Sequence, residues 1–249
     1  MAKTSGIIKI EGTVEDLTFY KKDGQHFVRR KGGISKERIE NEPNFVRTRE
    51  NNSEFSHSGS SGKILRLAVG SMVFRAKDSK LSSRLMQLMS RIKNLDSTSI
   101  RGQRKVSLGI ATPEGKQLIK GFDFNANAPL KSVLFAPFDL DTATGVVTIA
   151  HFTPAEQLLF PQGATHISFQ NAVLALDFDT TVSEIATSNV VNLAIDMNES
   201  SVVLTPTSVP TGTGVQLFLL MVSFYQEING VQYSLKNEEY NVLNVVEVV

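Results

Sequence analysis

The sequence predicts an α+β amino-terminal module followed by an all-β, immunoglobulin-like antiparallel sandwich. Three observations carry that expectation. Asp23-Gly24 stands between two aromatic, β-favouring runs near the start; apolar residues recur at helical spacing between Ile64 and Leu95; and from about Lys131 short β-favouring runs follow one another with no helical crossover. The charge reverses where the texture changes. Residues 1–105 hold 22 Lys+Arg against 11 Asp+Glu, and residues 106–249 hold 4 against 14, so the overall +1 conceals two oppositely charged halves. The domains expected are therefore a basic hairpin-plus-helices module, 1–105, and an acidic β-sandwich, 106–249. With 41 % apolar residues in 249, the chain can bury a core.

The elements follow in order. Residues 6–31 read as a small β unit, because Leu17-Thr18-Phe19-Tyr20-Lys21-Lys22 and Gln25-His26-Phe27-Val28-Arg29-Arg30 flank an Asp-Gly pair that supplies the positive φ a tight turn needs. Gly32-Gly33 ends it. Residues 34–41 suit a short polar helix, and Pro43 opens a second helix through about Phe55. Ser56, His57, Ser58, Gly59, Ser60, Ser61 and Gly62 are small and mostly polar, the composition of a flexible joint. Two packed helices are then predicted. Ile64, Leu65, Leu67, Ala68, Met72 and Phe74 form the apolar stripe of the first, with Arg66, Arg75 and Lys77 on its solvated side; Leu81, Leu85, Met86, Leu88, Met89, Ile92 and Leu95 form that of the second. Arg101-Gly102-Gln103-Arg104-Lys105 closes the basic half as an exposed loop. Eight strands are predicted at 132–135, 146–152, 166–178, 190–197, 201–205, 216–226, 231–235 and 242–248, the pair around Asn229-Gly230 as a second tight hairpin. That number over about 120 residues is the size of an immunoglobulin-like sandwich.

Gly6-Ile7-Ile8 and Gly12-Thr13-Val14 with Phe19-Tyr20 and Arg29-Arg30-Lys31, then Phe45-Val46-Arg47-Thr48-Arg49, and finally Phe224-Tyr225-Gln226-Glu227-Ile228-Asn229-Gly230-Val231-Gln232-Tyr233 resemble the motifs of a group of uncharacterised Bacteroidota proteins. The resemblance spans both ends of the chain. It implies a small basic amino-terminal module and a β-sandwich in a bacterial protein, and it implies no activity.

Chemistry is mostly excluded by what the chain lacks. Without cysteine there are no disulfides, thiolate-metal sites or cysteine nucleophiles. The amino terminus has no apolar h-region and the longest apolar stretch, 215–224, is too short for a bilayer, so a cytoplasmic protein without membrane insertion is expected. His26, His57, His151 and His166 are scattered, with no second ligand at zinc-like spacing. Asp139-Leu140-Asp141 and Asp177-Phe178-Asp179 each place two carboxylates on one strand face, but Ala143 stands where a calcium loop needs its next ligand, so turn and strand-end solvation is the better reading. Gly59-Ser60-Ser61-Gly62-Lys63 is too short for a phosphate loop, and Ile64 replaces the magnesium-binding hydroxyl. No catalytic residue, metal, cofactor or small-molecule substrate is expected.

Binding is the remaining class. In the hairpin, Phe19, Tyr20 and Phe27 alternate with Lys21, Lys22, Arg29, Arg30 and Lys31, offering stacking surfaces beside phosphate contacts; Arg47, Arg49, Arg101, Arg104 and Lys105 would extend the patch. Read blandly, the aromatics cover a small core and the cations solvate it. Nucleic acid is therefore the alternative partner. The leading expectation is a non-enzymatic structural or interaction protein whose partners are other protein subunits, itself included. Opposite charges on one chain are complementary head to tail, alone or within a larger bacterial or phage-like assembly.

Overall fold

The computed structural model describes residues 2–3, 10–30, 32–235 and 240–249. Lys31 and the Gly6-Ile7-Ile8 motif lie outside the described residues. The chain divides into two compact units, Met1–Arg49 and Glu50–Val249.

The first unit is a four-stranded antiparallel sheet followed by short helical turns. Its strands β1 (Ala2–Lys3), β2 (Gly12–Val14), β3 (Leu17–Lys22) and β4 (Gln25–Arg30) lie in the order β1-β4-β3-β2. The predicted hairpin is present: Lys22 pairs with Gln25 across Asp23 and Gly24, whose φ values are +50° and +77°. Helix α1 (Lys36–Asn41) starts at Ser35, whose hydroxyl accepts the Arg38 N–H. A 3-10 turn at Pro43–Phe45 leads into α2 (Val46–Val69), inside which the unit boundary falls. Among the described residues of this unit, none is fully buried.

The second unit is built around one curled six-stranded sheet. Its helical elements are the rest of α2, α3 (Ser71–Arg75), α4 (Leu81–Lys93), α5 (Val106–Ile110), α6 (Pro113–Ile119), α7 (Leu130–Val133) and α8 (Pro154–Gln157). Its strands are β5 (Asp139–Leu140), β6 (Val147–Phe152), β7 (His166–Leu176), β8 (Ser183–Thr187), β9 (Val191–Ala194), β10 (Ser200–Leu204), β11 (Val215–Ile228), β12 (Val231–Ser234) and β13 (Val242–Val248). β11 and β7 pair along eleven residues at the centre; β12 and β13 flank β11, and β8 and β9 flank β7. A second, three-stranded sheet runs β10-β6-β5, and every strand pairing among the described residues is antiparallel.

Alternation along β11 explains the architecture. Leu217, Leu219 and Met221 point into a cluster with Leu65, Val69, Met72, Leu85, Met89, Ile92, Val106, Ile110 and Ile119 of the helices. Leu220, Val222 and Phe224 point the other way, against Ile149, Phe152, Val202 and Leu204 of the small sheet. The central sheet is covered on both faces, which is why the 217–222 run is apolar throughout rather than alternating. Phe152 and Phe169 meet edge to face at 5.3 Å between the two sheets, a geometry worth about 0.5–1.5 kcal/mol beyond burial. The coarse expectation of an amino-terminal helical module before a β-rich region agrees with this arrangement.

Several expectations are corrected. Residues 56–62 are no linker but the middle of α2, where Ser58, Ser61 and Gly62 are buried. Small side chains let α2 approach α4: a Cβ at Gly62 would stand 3.3 Å from that of Leu85. Ser58 and Ser61 satisfy their hydroxyls by donating to the carbonyls of Glu54 and His57 four residues back. The domain boundary falls at Arg49/Glu50 rather than at Lys105, because the helices share a core with β7, β11 and β13. Charge is redistributed accordingly: the units hold 11 Lys+Arg against 7 Asp+Glu and 15 against 18. Residues 132–135 are not a strand; the chain turns through α7 behind Pro129 and only Leu134 bridges, to Leu158. Finally, Leu67 and Phe74 do not belong to the buried stripe. Leu65, Val69, Met72, Val73 and Ala76 do, and Leu67, two positions from Leu65, projects from the opposite side. No helix among the described residues is long and apolar enough to cross a membrane.

Candidate functional site

The sheet register divides the hairpin candidates between two faces. Tyr20 lies opposite Phe27 and Thr18 opposite Arg29, so Tyr20, Lys22, Phe27 and Arg29 share a face, whereas Phe19, Lys21 and Arg30 point to the other. The Tyr20 and Phe27 rings stack at 5.7 Å with 24° between planes, and the Arg29 guanidinium sits 5.5 Å from the Tyr20 centroid. Among the described residues Lys21 and Lys22 make no ion pair. Arg30 reaches Asp16 at 3.8 Å with both side chains largely exposed, a contact worth little. Arg47 is exposed. Arg49 is already used: its Nη1 donates to the carbonyls of Ile39 (2.7 Å) and Glu42 (3.0 Å), closing the end of α1.

Arg101, Arg104 and Lys105 belong to the second unit, and each has a carboxylate there. Arg101 Nε lies 3.3 Å from Glu50 and its Nη2 donates to Asn51 (3.0 Å); Arg104 Nε is 3.9 Å from Glu54; Lys105 Nζ is 3.1 Å from Asp179. Beneath them Lys93 pairs with Glu54, both buried, and the second Glu54 oxygen accepts the Gly102 N–H at 2.8 Å. Burial would raise the Glu54 pKa, but Lys93, the Gly102 N–H and Arg104 outweigh it and hold the carboxyl below its usual range. Asp96 is held lower still. Burial opposes its charge, yet Ser99, Thr98 and the Lys105 N–H all donate to it. This loop is an internally neutralised buttress rather than an open cationic patch.

His57, expected in a linker, sits on α2, where Nε2 accepts the Val106 N–H at 2.9 Å. An accepting Nε2 places the ring's proton on Nδ1. Burial lowers the His57 pKa, helped by Lys105 and Lys93 and opposed by Asp179.

The other candidate chemistry resolves into turn-building. Asp141 accepts the Ala143 N–H and the Thr144 hydroxyl; Asp177 accepts the Asp179 and Thr180 N–H groups and the Thr213 hydroxyl. Thr165 Oγ1, His166 and Glu227 stand within 2.9 and 3.4 Å of one another, a hydroxyl–imidazole–carboxylate series. The same Oγ1 accepts the Glu227 N–H at 2.7 Å, and Asn192 and Gln232 extend the series. These bonds stitch together the ends of β7, β9, β11 and β12. Among the described residues no three His, Asp or Glu gather to hold a metal ion.

The feature that sequence reasoning missed is a groove between the end of α2, α3 and the start of α4. It encloses about 560 Å³ and is lined by Lys63, Arg66, Leu67, Phe74, Lys77 and Leu81 among others. Leu67 and Phe74 are 69 % and 70 % exposed, among the barest large apolar side chains of the second unit. Lys77 Nζ rests 4.6 Å from the Phe74 ring centroid. The groove exists because the chain breaks at Gly70, φ +65°, and restarts α3 at an angle; the two-residue offset of Leu67 from Leu65 was the legible signal.

Compared with protein-family models, with curated proteins and with solved structures, the chain finds no match.

Proposed function

We propose that this is a non-enzymatic structural protein that assembles head to tail, the helical side of one copy meeting the β side of the next. One observation carries the reading. Residues 132–235 contain no Lys or Arg at all but nine Asp or Glu, while Lys63, Arg66, Arg75, Lys77, Lys80 and Arg91 of the helical layer have no carboxylate partner among the described residues. Complementary surfaces on opposite layers of one unit favour heterologous contacts, which close into rings or run on as filaments. We read the two facing sheets as an immunoglobulin-like sandwich with an added helical layer. Sedimentation velocity at about 0.01 M and about 1 M salt, where the screening length falls from about 30 Å to about 3 Å, tests the assembly. Larger species are expected at low salt and monomers at high salt; a monomer at high micromolar concentration in low salt refutes it.

The stacked Tyr20–Phe27 pair under Arg29 favours a second reading, contact with single-stranded nucleic acid by the first unit. Filter binding with the full chain should then show affinity that falls steeply with salt and drops further in Tyr20→Ala and Phe27→Ala. No binding at low salt ends that reading.

A further inference from the structure

We infer that the cation-rimmed groove of the helical layer is the socket for the Met197 turn of a second copy of this chain. The inference rests on the head-to-tail reading and gives it a site. On the socket side, Leu67 and Phe74 present bare apolar surface beside Lys63, Arg66 and Lys77. Arg66 Nε is buried without a hydrogen-bond partner among the described residues. Asp78, the acidic residue of the lining, adds no free negative charge, since Arg84 and the N–H groups of Lys80 and Ala126 occupy it.

The complementary shape lies in the turn between β9 and β10. Met197 is 66 % exposed and is the one exposed methionine among the described residues. Asp196 and Glu199 flank it, so an apolar tip stands between two carboxylates. The turn is rigid: Asp196 accepts the Asn198 N–H at 2.9 Å and its amide at 2.7 Å, and the Asp196 carbonyl accepts the Ala155 N–H at 3.0 Å. Glu199 is paired with His151 at 2.5 Å. A thioether is an adaptable partner for an aromatic ring such as Phe74, and the two carboxylates would meet Lys63, Arg66 and Lys77. Socket and knob belong to opposite sides of the central sheet: the helices cover one face, and β10 lies in the small sheet that covers the other. Each copy that receives a knob therefore keeps its own knob free for the next.

Mass photometry and sedimentation at low salt decide it. The knob variant Met197→Lys and the socket variant Phe74→Asn, both at exposed positions, are each expected to weaken association at least tenfold. Mixed in equal amounts they should form dimers and nothing larger, because one intact socket meets one intact knob. That recovery also shows that both variants are folded. If wild type assembles while both variants assemble equally well, or while their mixture stays monomeric, the socket assignment is overturned and the assembly reading stands. If wild type is monomeric, the assembly reading itself fails. Octanoate, an apolar anion, binding to the groove of an assembly that Met197→Lys leaves intact would overturn the choice of occupant.

Discussion

Replacing Lys93 by Met should destabilise the second unit by about 3–5 kcal/mol, the cost of leaving one member of a buried ion pair without the other. Glu54 and Lys93 are 6 % and 7 % exposed, so neither charge can be rehydrated without opening the contact between α2 and α4. In Lys93→Met the Glu54 carboxylate keeps, among the described residues, the Gly102 N–H at 2.8 Å and a distant Arg104 at 3.9 Å, and the Arg104 charge places the loss toward the lower end. For a unit of this size the loss corresponds to a fall of about 6–20 °C in Tm. Glu54→Gln/Lys93→Met removes both charges while the amide oxygen still accepts from Gly102, and should return to within about 1.5 kcal/mol of wild type. The penalty in Lys93→Met should also shrink in acid, as protonation of Glu54 removes the stranded charge. In wild type the sign is opposite: the lowered Glu54 pKa contributes stability above about pH 4.3, the unfolded value, that is lost as pH falls through the folded one. Urea unfolding followed by circular dichroism measures all four species of the cycle. A Lys93→Met protein within about 0.5 kcal/mol of wild type at pH 7 would refute the reasoning.

Three further outcomes are expected. Gly109→Ala would place its Cβ 2.0 Å from the Ile92 carbonyl oxygen, so α4 and α5 must separate; a loss of about 1–3 kcal/mol or more should appear in the same assay, and an unchanged midpoint counts against the packing described. His57 has a lowered pKa because burial, helped by Lys105 and Lys93, outweighs Asp179, so stability should be complete above about pH 6.5, fall as pH drops below that value, and level out below the folded pKa. His57→Gln should remove that slope between pH 7.5 and 5.5, and an identical slope in the variant excludes His57 as its source. Residues 50–249 expressed alone should unfold in one cooperative step, whereas residues 1–105 should not, since that cut strips α4 of the sheet it packs on; a sharp transition for 1–105 would reverse the assignment.

How much of this was legible depended on whether a residue's role is local. Asp23-Gly24 and the β-branched runs around β6, β7, β10, β11 and β13 specify turn and strand through their own backbone preferences, and they read correctly. Ser58, Ser61 and Gly62 did not, because small side chains suit a loose joint and a tight helix crossing equally well, and only the partner helix distinguishes the two. Helices α5 and α6 were overlooked for their brevity, although Thr112-Pro113 before Glu114 is a recognisable start: the Thr112 hydroxyl accepts the Gly115 N–H. The charge count placed a boundary at Lys105 because it registers sequence neighbours, while the core that joins α2 and α4 to β7 and β11 is made of residues 80 or more positions apart. Of the proposed contact residues, Tyr20, Lys22 and Arg29 share one face of the hairpin with Phe27; Arg49, Arg101, Arg104 and Lys105 read as free cations only because their carbonyl and carboxylate partners lie elsewhere on the chain.

The absence of Lys and Arg from 132–235 has a practical consequence at the bench. Trypsin, which cleaves after those residues, has no site there, so a complete digest releases residues 132–236 as one long fragment whether or not the sheet is folded. Limited trypsinolysis therefore reports on the first unit, the helical layer and the carboxyl-terminal strand alone. Amine-reactive dyes, cross-linkers and coupling resins obey the same geography. They mark or tether the molecule only within residues 1–131 and at Lys236, and leave residues 132–235 unmodified.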